Sequence, residues 1–172
     1  MLAWLGSAAV ACQSEVVPAT QVIVEISSEL ELETELSSIV VQLGSADGSG
    51  APSEEREFQV GVDPTRTDLV QLPLRFAVLP GREQRFRISV IGYGPTGADG
   101  RLEQVIEQRA ITSFRTQKTL LLPLVLAKIC HRVVCAEATE QVCYPASVGA
   151  TAAGSCGPVP SAPGVVIDPG RG

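Results

Sequence analysis

Alternation of apolar and polar residues begins at Thr20 and governs most of the chain. Val22, Val24 and Ile26 fall on one phase, with Gln21 and Glu25 on the other, which is the period-two signature of a half-buried strand. Ile39, Val41 and Leu43 repeat the pattern, as do Phe58, Val60 and Val62. A longer inward row is predicted over Val70, Leu72, Leu74, Phe76 and Val78. Phe86, Ile88 and Val90 form another, opposed by Arg85, Arg87 and Ser89, and Leu120, Leu122, Leu124 and Leu126 close the series. Gly-, Pro- and Asp-rich breakers separate the rows: residues 44–53, 63–68, Pro80-Gly81 and 94–100.

Residues 102–114 fit either a helical face or a strand. A hairpin across 94–100 favours a strand over 104–114. The segment Glu29–Glu35 (ELELETE) alternates briefly and is read as a connection. Pro73 and Pro123 occupy the outward phase of their rows. Proline donates nothing to a ladder, so both predict edge strands or bulges. Several short strands at this spacing predict a two-sheet sandwich over residues 20–128. In architecture this resembles an immunoglobulin-like or fibronectin-III-like domain. It does so without an inter-sheet cysteine pair or a core tryptophan, since Trp4 is the only Trp. The predicted fold class is therefore all-β: an immunoglobulin-like antiparallel β-sandwich followed by a small disulfide-stapled C-terminal segment.

Cysteine placement adds an address. Cys12 ends an uncharged apolar run, MLAWLGSAAVA, and none occurs again until Cys130. Ala9-Val10-Ala11-Cys12, small residues directly before a cysteine, resembles the signal of bacterial lipoproteins. That resemblance implies a signal peptide at 1–11 and Cys12 as the lipidated mature N-terminus. It also implies a tether at 12–19 and attachment to the outer membrane, because Gln13 replaces the aspartate of inner-membrane retention. No Lys or Arg precedes the run, as expected if the true start lies upstream. Several acyl chains on one residue meet the multiple-signal requirement for stable anchoring.

At the other end, Cys130, Cys135, Cys143 and Cys156 are spaced C-x4-C-x7-C-x12-C. In an exported chain an even cluster predicts disulfides, here in a cap over 129–157. Four cysteines allow three connectivities; the interleaved one, Cys130–Cys143 with Cys135–Cys156, is favoured without being required. Few large apolar residues surround them, so cross-links are expected to stand in for a core. Zinc competes weakly through His131, but no C-x2-C knuckle is present. The Pro/Gly-rich remainder, 158–172, is expected to be disordered.

Charge and motifs narrow the chemistry. The net charge is −6, which disfavours a nucleic-acid surface. Residues 1–60 hold ten acidic groups and one basic, and the rest of the chain nine acidic and twelve basic, which allows cross-strand Glu–Arg pairing or, more simply, solvated faces. A single histidine excludes any two-His site, and neither a nucleophile elbow nor a P-loop occurs. Glu103/Glu107 could form a carboxylate pair, and Asp47, Asp63, Asp68 and Asp99 could meet calcium, yet all fit solvated or turn positions equally well. No catalytic, cofactor or metal residue is assigned. The expected function is a non-catalytic envelope lipoprotein: a structural module, or one meeting an unknown protein or glycan partner through the loops at 44–56 and 94–100. The alternatives are an exported hydrolase or metal-dependent enzyme using acidic loop residues, and a soluble exported binding domain without an anchor.

Overall fold

The computed structural model describes residues 19–81, 83–96, 101–135, 141–144 and 154–167. Residues 1–18, with Cys12 and the predicted signal at 1–11, lie outside the described residues, as does Asp99. Among the described residues the regular structure is almost all strand: β1 (Gln21–Ser28), β2 (Ser38–Ser45), β3 (Glu54–Val60), β4 (Leu69–Val70), β5 (Leu74–Val78), β6 (Arg85–Tyr93), β7 (Gln104–Ser113), β8 (Thr119–Leu126), β9 (Gln141–Cys143), β10 (Cys156–Pro158) and β11 (Val165–Ile167). Two sheets form the sandwich, one ordered β11-β8-β1-β5 and the other β4-β3-β2-β6-β7, with β9 and β10 as a separate hairpin-like pair. The inward phases of both sheets make one core, in which Val22, Val24, Ile26, Ile39, Ile88, Val90, Leu120 and Leu126 are fully buried.

The predicted all-β sandwich with a disulfide-stapled C-terminal segment is what the chain forms. Strand order adds what periodicity does not carry: β1 lies inside its sheet, antiparallel to β5 and parallel to β8. The row predicted over 70–78 is two strands. β4 pairs with β3 in one sheet, whereas β5 pairs with β1 in the other, and Pro73 stands between them where the chain changes layers. One alternating pattern spans both because each sheet presents an apolar face to the same core. β3 ends at Val60, and Val62 is 65% exposed, so the third row is shorter than its pattern. Pro123 falls on β8 beyond the part that β11 covers, a position where no ladder donor is needed.

The tail corrects a compositional expectation. Residues 158–167 do not form a loose extension. Ile111 donates its N–H to the Pro160 carbonyl (3.0 Å) and accepts from Ala162 (2.8 Å) at the edge of β7. Val165–Ile167 then adds to β8 of the opposite sheet. The segment therefore laces the two sheets together along one side. Proline and glycine do not prevent this, because a three-residue edge strand requires only that Val165, Val166 and Ile167 be extended. Gly164, at a φ of 66°, makes the turn into it.

Register fixes which loops share an end of the sandwich. β1, β8 and β6 begin, and β2, β5 and β7 finish, at or beside the point where the chain enters at Ala19. Thr20 Oγ1 accepts from the Gln117 N–H (2.8 Å) and Thr119 Oγ1 donates to the Ala19 carbonyl (3.2 Å), fixing that N-terminal end. β8 finishes at the far end, where Lys128–Cys130 turns into the cysteine-rich cap.

Candidate functional site

At the capped end, apolar plugs and covalent bonds act together. The connection at 29–37 is a turn, held by the Glu33 N–H on the Leu36 carbonyl (2.8 Å), that inserts Leu30 and Leu36 into the core. Cys130 and Cys143 are bonded to each other, as are Cys135 and Cys156, so the interleaved pairing is the one present. Their four sulfurs are thereby committed as cystines rather than as zinc thiolates. Cys130 and Cys143 are buried in the main core cluster beside the sandwich residues, at 1% and 3% exposure. The cystine is thus part of the core and does not replace it. Buried Gln108 donates from Nε2 to the Cys143 carbonyl (3.1 Å), and Arg132 N–H reaches the Val105 carbonyl, so the cap docks on β7 through satisfied polar groups. Lys128 Nζ meets Glu35 at 3.0 Å across the same end. A backbone N–H in the Glu31–Glu35 turn, then Lys128, hold the Glu35 carboxyl below its usual pKa.

Among the described residues the N-terminal end is open. A cavity of about 540 Å³ lies between the sheets there, and all four phenylalanines of the chain, Phe58, Phe76, Phe86 and Phe114, line it. Each comes from the end of a strand or its inward phase: Phe58 from β3, Phe76 from β5, Phe86 from the start of β6, Phe114 directly after β7. Phe86 and Phe114 stack with ring centroids 5.0 Å apart, an arrangement that adds specific aromatic attraction to area burial. Val41, Leu43 and Val78 complete the apolar wall, while polar side chains (Arg56, Glu54, Glu83) stand among the lining residues toward the rim. Leu79 is 66% exposed at the same mouth.

A second concavity, about 870 Å³, lies on the outer face of the five-stranded sheet. Its floor carries Gln42, Arg87, Ser89, Glu107 and Arg109; the loop through Gly48, Gly50 and Pro52 forms one wall and the disulfide cap the other. Glu107 and Arg109 are ion-paired at 2.5 Å with side chains only 20% and 11% exposed. Gln42 donates to Glu55 at 2.8 Å. Tyr93, on the same sheet, has its pKa raised by burial and then by Glu107, Glu55 and Glu57. This is a polar groove, suited to hydrogen-bonding partners.

The remaining candidates separate. Glu103 pairs with Arg132 (3.0 Å) and Glu107 with Arg109, so these two carboxylates are each engaged by a cation. Asp47 and Asp63 accept from the N–H and hydroxyl of Ser49 and Thr65, and Asp68 pairs with Arg66; their charges serve turns. Arg75 and Glu25 form the one cross-strand Glu–Arg pair between β1 and β5 among the described residues. The loop at 44–56 borders both concavities, whereas residues 97–100 lie outside the described residues. Sequence reasoning missed the aromatic cavity. The signal available was that only four phenylalanines occur and that each sits on an inward phase or beside a strand end. Comparison of the chain with family models, with curated proteins and with solved structures found no match.

Proposed function

We propose that this protein is a non-catalytic cell-envelope lipoprotein whose sandwich is held at the membrane by a lipid on Cys12 and serves as an interaction or structural module. The observation that carries this reading is the pair of interleaved cystines, one of them, Cys130–Cys143, embedded in the core, which belongs with an oxidising, extracytoplasmic setting. The Ala9-Val10-Ala11-Cys12 motif supplies the anchor within that setting. Only six residues lie between Cys12 and Ala19, so the seven Cα-to-Cα steps of the tether span about 25 Å at full extension. The polar groove on the five-stranded sheet is the surface offered to a protein or glycan partner. Its floor of amide, hydroxyl and paired charges can exchange hydrogen bonds with hydroxyl-rich or peptide groups.

Metabolic labelling with an alkyne fatty acid tests the anchor in a Gram-negative host expressing the gene from its true start. The expected result is label on the wild-type protein in the outer-membrane fraction and none on Cys12→Ser. Absence of label on the wild type, or equal label on both, overturns the reading.

A further inference from the structure

We propose that the phenylalanine-lined cavity binds a long acyl chain, drawn from a lipid of the membrane against which the Cys12 tether holds this end of the domain. The site stands on its own geometry; the source of the chain rests on the lipoprotein reading.

The cavity has the size of a small-ligand site, about 540 Å³ within the ~300–1,000 Å³ that such sites span. Its deep wall is made of phenyl rings and aliphatic side chains, which satisfy no ligand hydrogen bond. A sugar or nucleotide placed there would leave its polar groups unpaired at high cost, whereas methylenes lose nothing. Of the polar side chains in the lining, Ser53, Glu54, Arg56 and Glu83 are exposed and would meet a headgroup, and Ser45 is half-buried. Leu79 stands 66% exposed at that mouth, beside exposed Pro80 and Gly81.

Position singles out the membrane as the source. The chain enters the domain at this same end, because Val22 of β1 pairs with Val78 of β5 and Gln21 with Thr119 of β8. A tether of about 25 Å therefore keeps the cavity mouth within reach of the bilayer surface. Arg85, Arg115 and Lys118 are all exposed at this end, giving cations at the level of anionic headgroups. Exposed Glu54 and Glu83 line the same mouth, so a headgroup would meet charges of both signs there. An acyl chain rising from the membrane would thus pass Leu79 at the rim and lie against the aromatic wall, leaving its headgroup among the charged side chains of the mouth.

The test uses the full chain as Cys12→Ser, which bears no lipid, titrated with the fluorescent fatty acid cis-parinaric acid. Saturable binding in the micromolar range is expected, displaced by palmitate and not by acetate. Leu79→Asp, which sets a charge at the exposed rim, should weaken binding by about tenfold or more. Gly81→Trp should block the mouth; Gly81 has open space around its Cα, so both variants should keep the wild-type melting temperature. No saturable binding, or binding that both folded variants retain, overturns the site. Lipidated wild type identifies the source. If native mass spectra of membrane-extracted protein carry a lipid beyond those on Cys12, and the protein stripped of that lipid binds the probe as well as Cys12→Ser does, the membrane supplies the chain. If only Cys12→Ser binds, the protein's own acyl group fills the cavity and the membrane source is overturned. Failure of the anchor would show separately, as loss of label at Cys12, and leaves the Cys12→Ser titration intact.

Discussion

The two ends of the sandwich close the same gap between sheets by different means. At the capped end, leucines from a tight turn plug the gap, and the Cys130–Cys143 bond lies among them as a core element. At the N-terminal end four phenylalanines stand around a space they do not fill. Native interiors are packed with few voids larger than water, so an unfilled aromatic end is a cost to be offset elsewhere. Cross-links at the far end, and the tail strand that pairs with Thr119–Leu121 beside the open end itself, supply that offset. The lesson is a division of labour along the strands: stability is concentrated where the chain is cross-linked, and open volume is carried where the chain enters the domain.

The largest expected effect breaks the capped end. Replacing Cys130 and Cys143 together by alanine removes a cross-link spanning 13 residues and also apolar bulk from the core. A loss of roughly 3–5 kcal/mol is expected from denaturant titration. The more exposed Cys135–Cys156 pair should cost less despite its longer span of 21 residues, because little core packing goes with it. Equal losses from the two would show that the cystines act through loop closure alone.

Next come truncations of apolar side chains at either end. Leu36, fully buried under the cap, should lose about 3 kcal/mol as Leu36→Ala, since nothing can relax into the space. Phe58→Ala removes a larger side chain, yet it should cost only about 1 kcal/mol, because the ring is half-buried and already borders open volume. A Phe58→Ala loss equal to that of Leu36→Ala would mean that the aromatic end is packed as tightly as the other.

A smaller effect probes the lacing. Gly164 has a φ of 66° and its added Cβ would lie 3.1 Å from Leu120 Cβ and 3.3 Å from the Leu121 carbonyl. Gly164→Ala should therefore cost about 1–2 kcal/mol and raise amide exchange in β11 and the outer part of β8. Exchange confined to the wild-type rate would mean that β11 adds nothing to the seam.

How far these ends could be read in advance follows from what alternation encodes. Val22-Val24-Ile26 and Leu120 to Leu126 announce strands and their buried faces, because a period of two is local. It does not say which sheet a strand joins, and so Val70 to Val78 read as one row though Pro73 divides it between layers. Composition misled at the tail, where Pro160, Pro163 and Gly164 flank a strand whose partner, β8, is supplied at long range. The cystine pairing was within reach as one of three options, since sequence orders the cysteines but not their distances. The aromatic cavity was out of reach. It depends on four residues from four separate segments meeting at one end, and only the register of both sheets brings them there.

The smallest effect distinguishes the ends by their carboxylates. Asp47, in the loop beside the open cavity, is held down to about 2 from an ordinary 3.8, first by the Ser49 N–H and then by the Ser49 and Ser45 hydroxyls. Glu35 at the capped end is lowered first by a backbone N–H in the Glu31–Glu35 turn and then by Lys128. Because both pKa values are depressed in the folded chain, each carboxylate favours folding above its unfolded pKa, and that contribution fades as pH falls toward the folded value. For Asp47 the window runs from 3.8 down to about 2, so its loop should stay ordered at pH 3. Carboxyl-carbon NMR titration checks both groups. Ser49→Ala should raise Asp47 only part of the way, since the N–H remains, and added salt should scarcely move it. Lys128→Met should raise Glu35, and salt should move it the same way, because part of its shift is charge attraction across solvent. A salt-sensitive Asp47 would mean that charge attraction, and not the turn's own N–H, governs the open end as well.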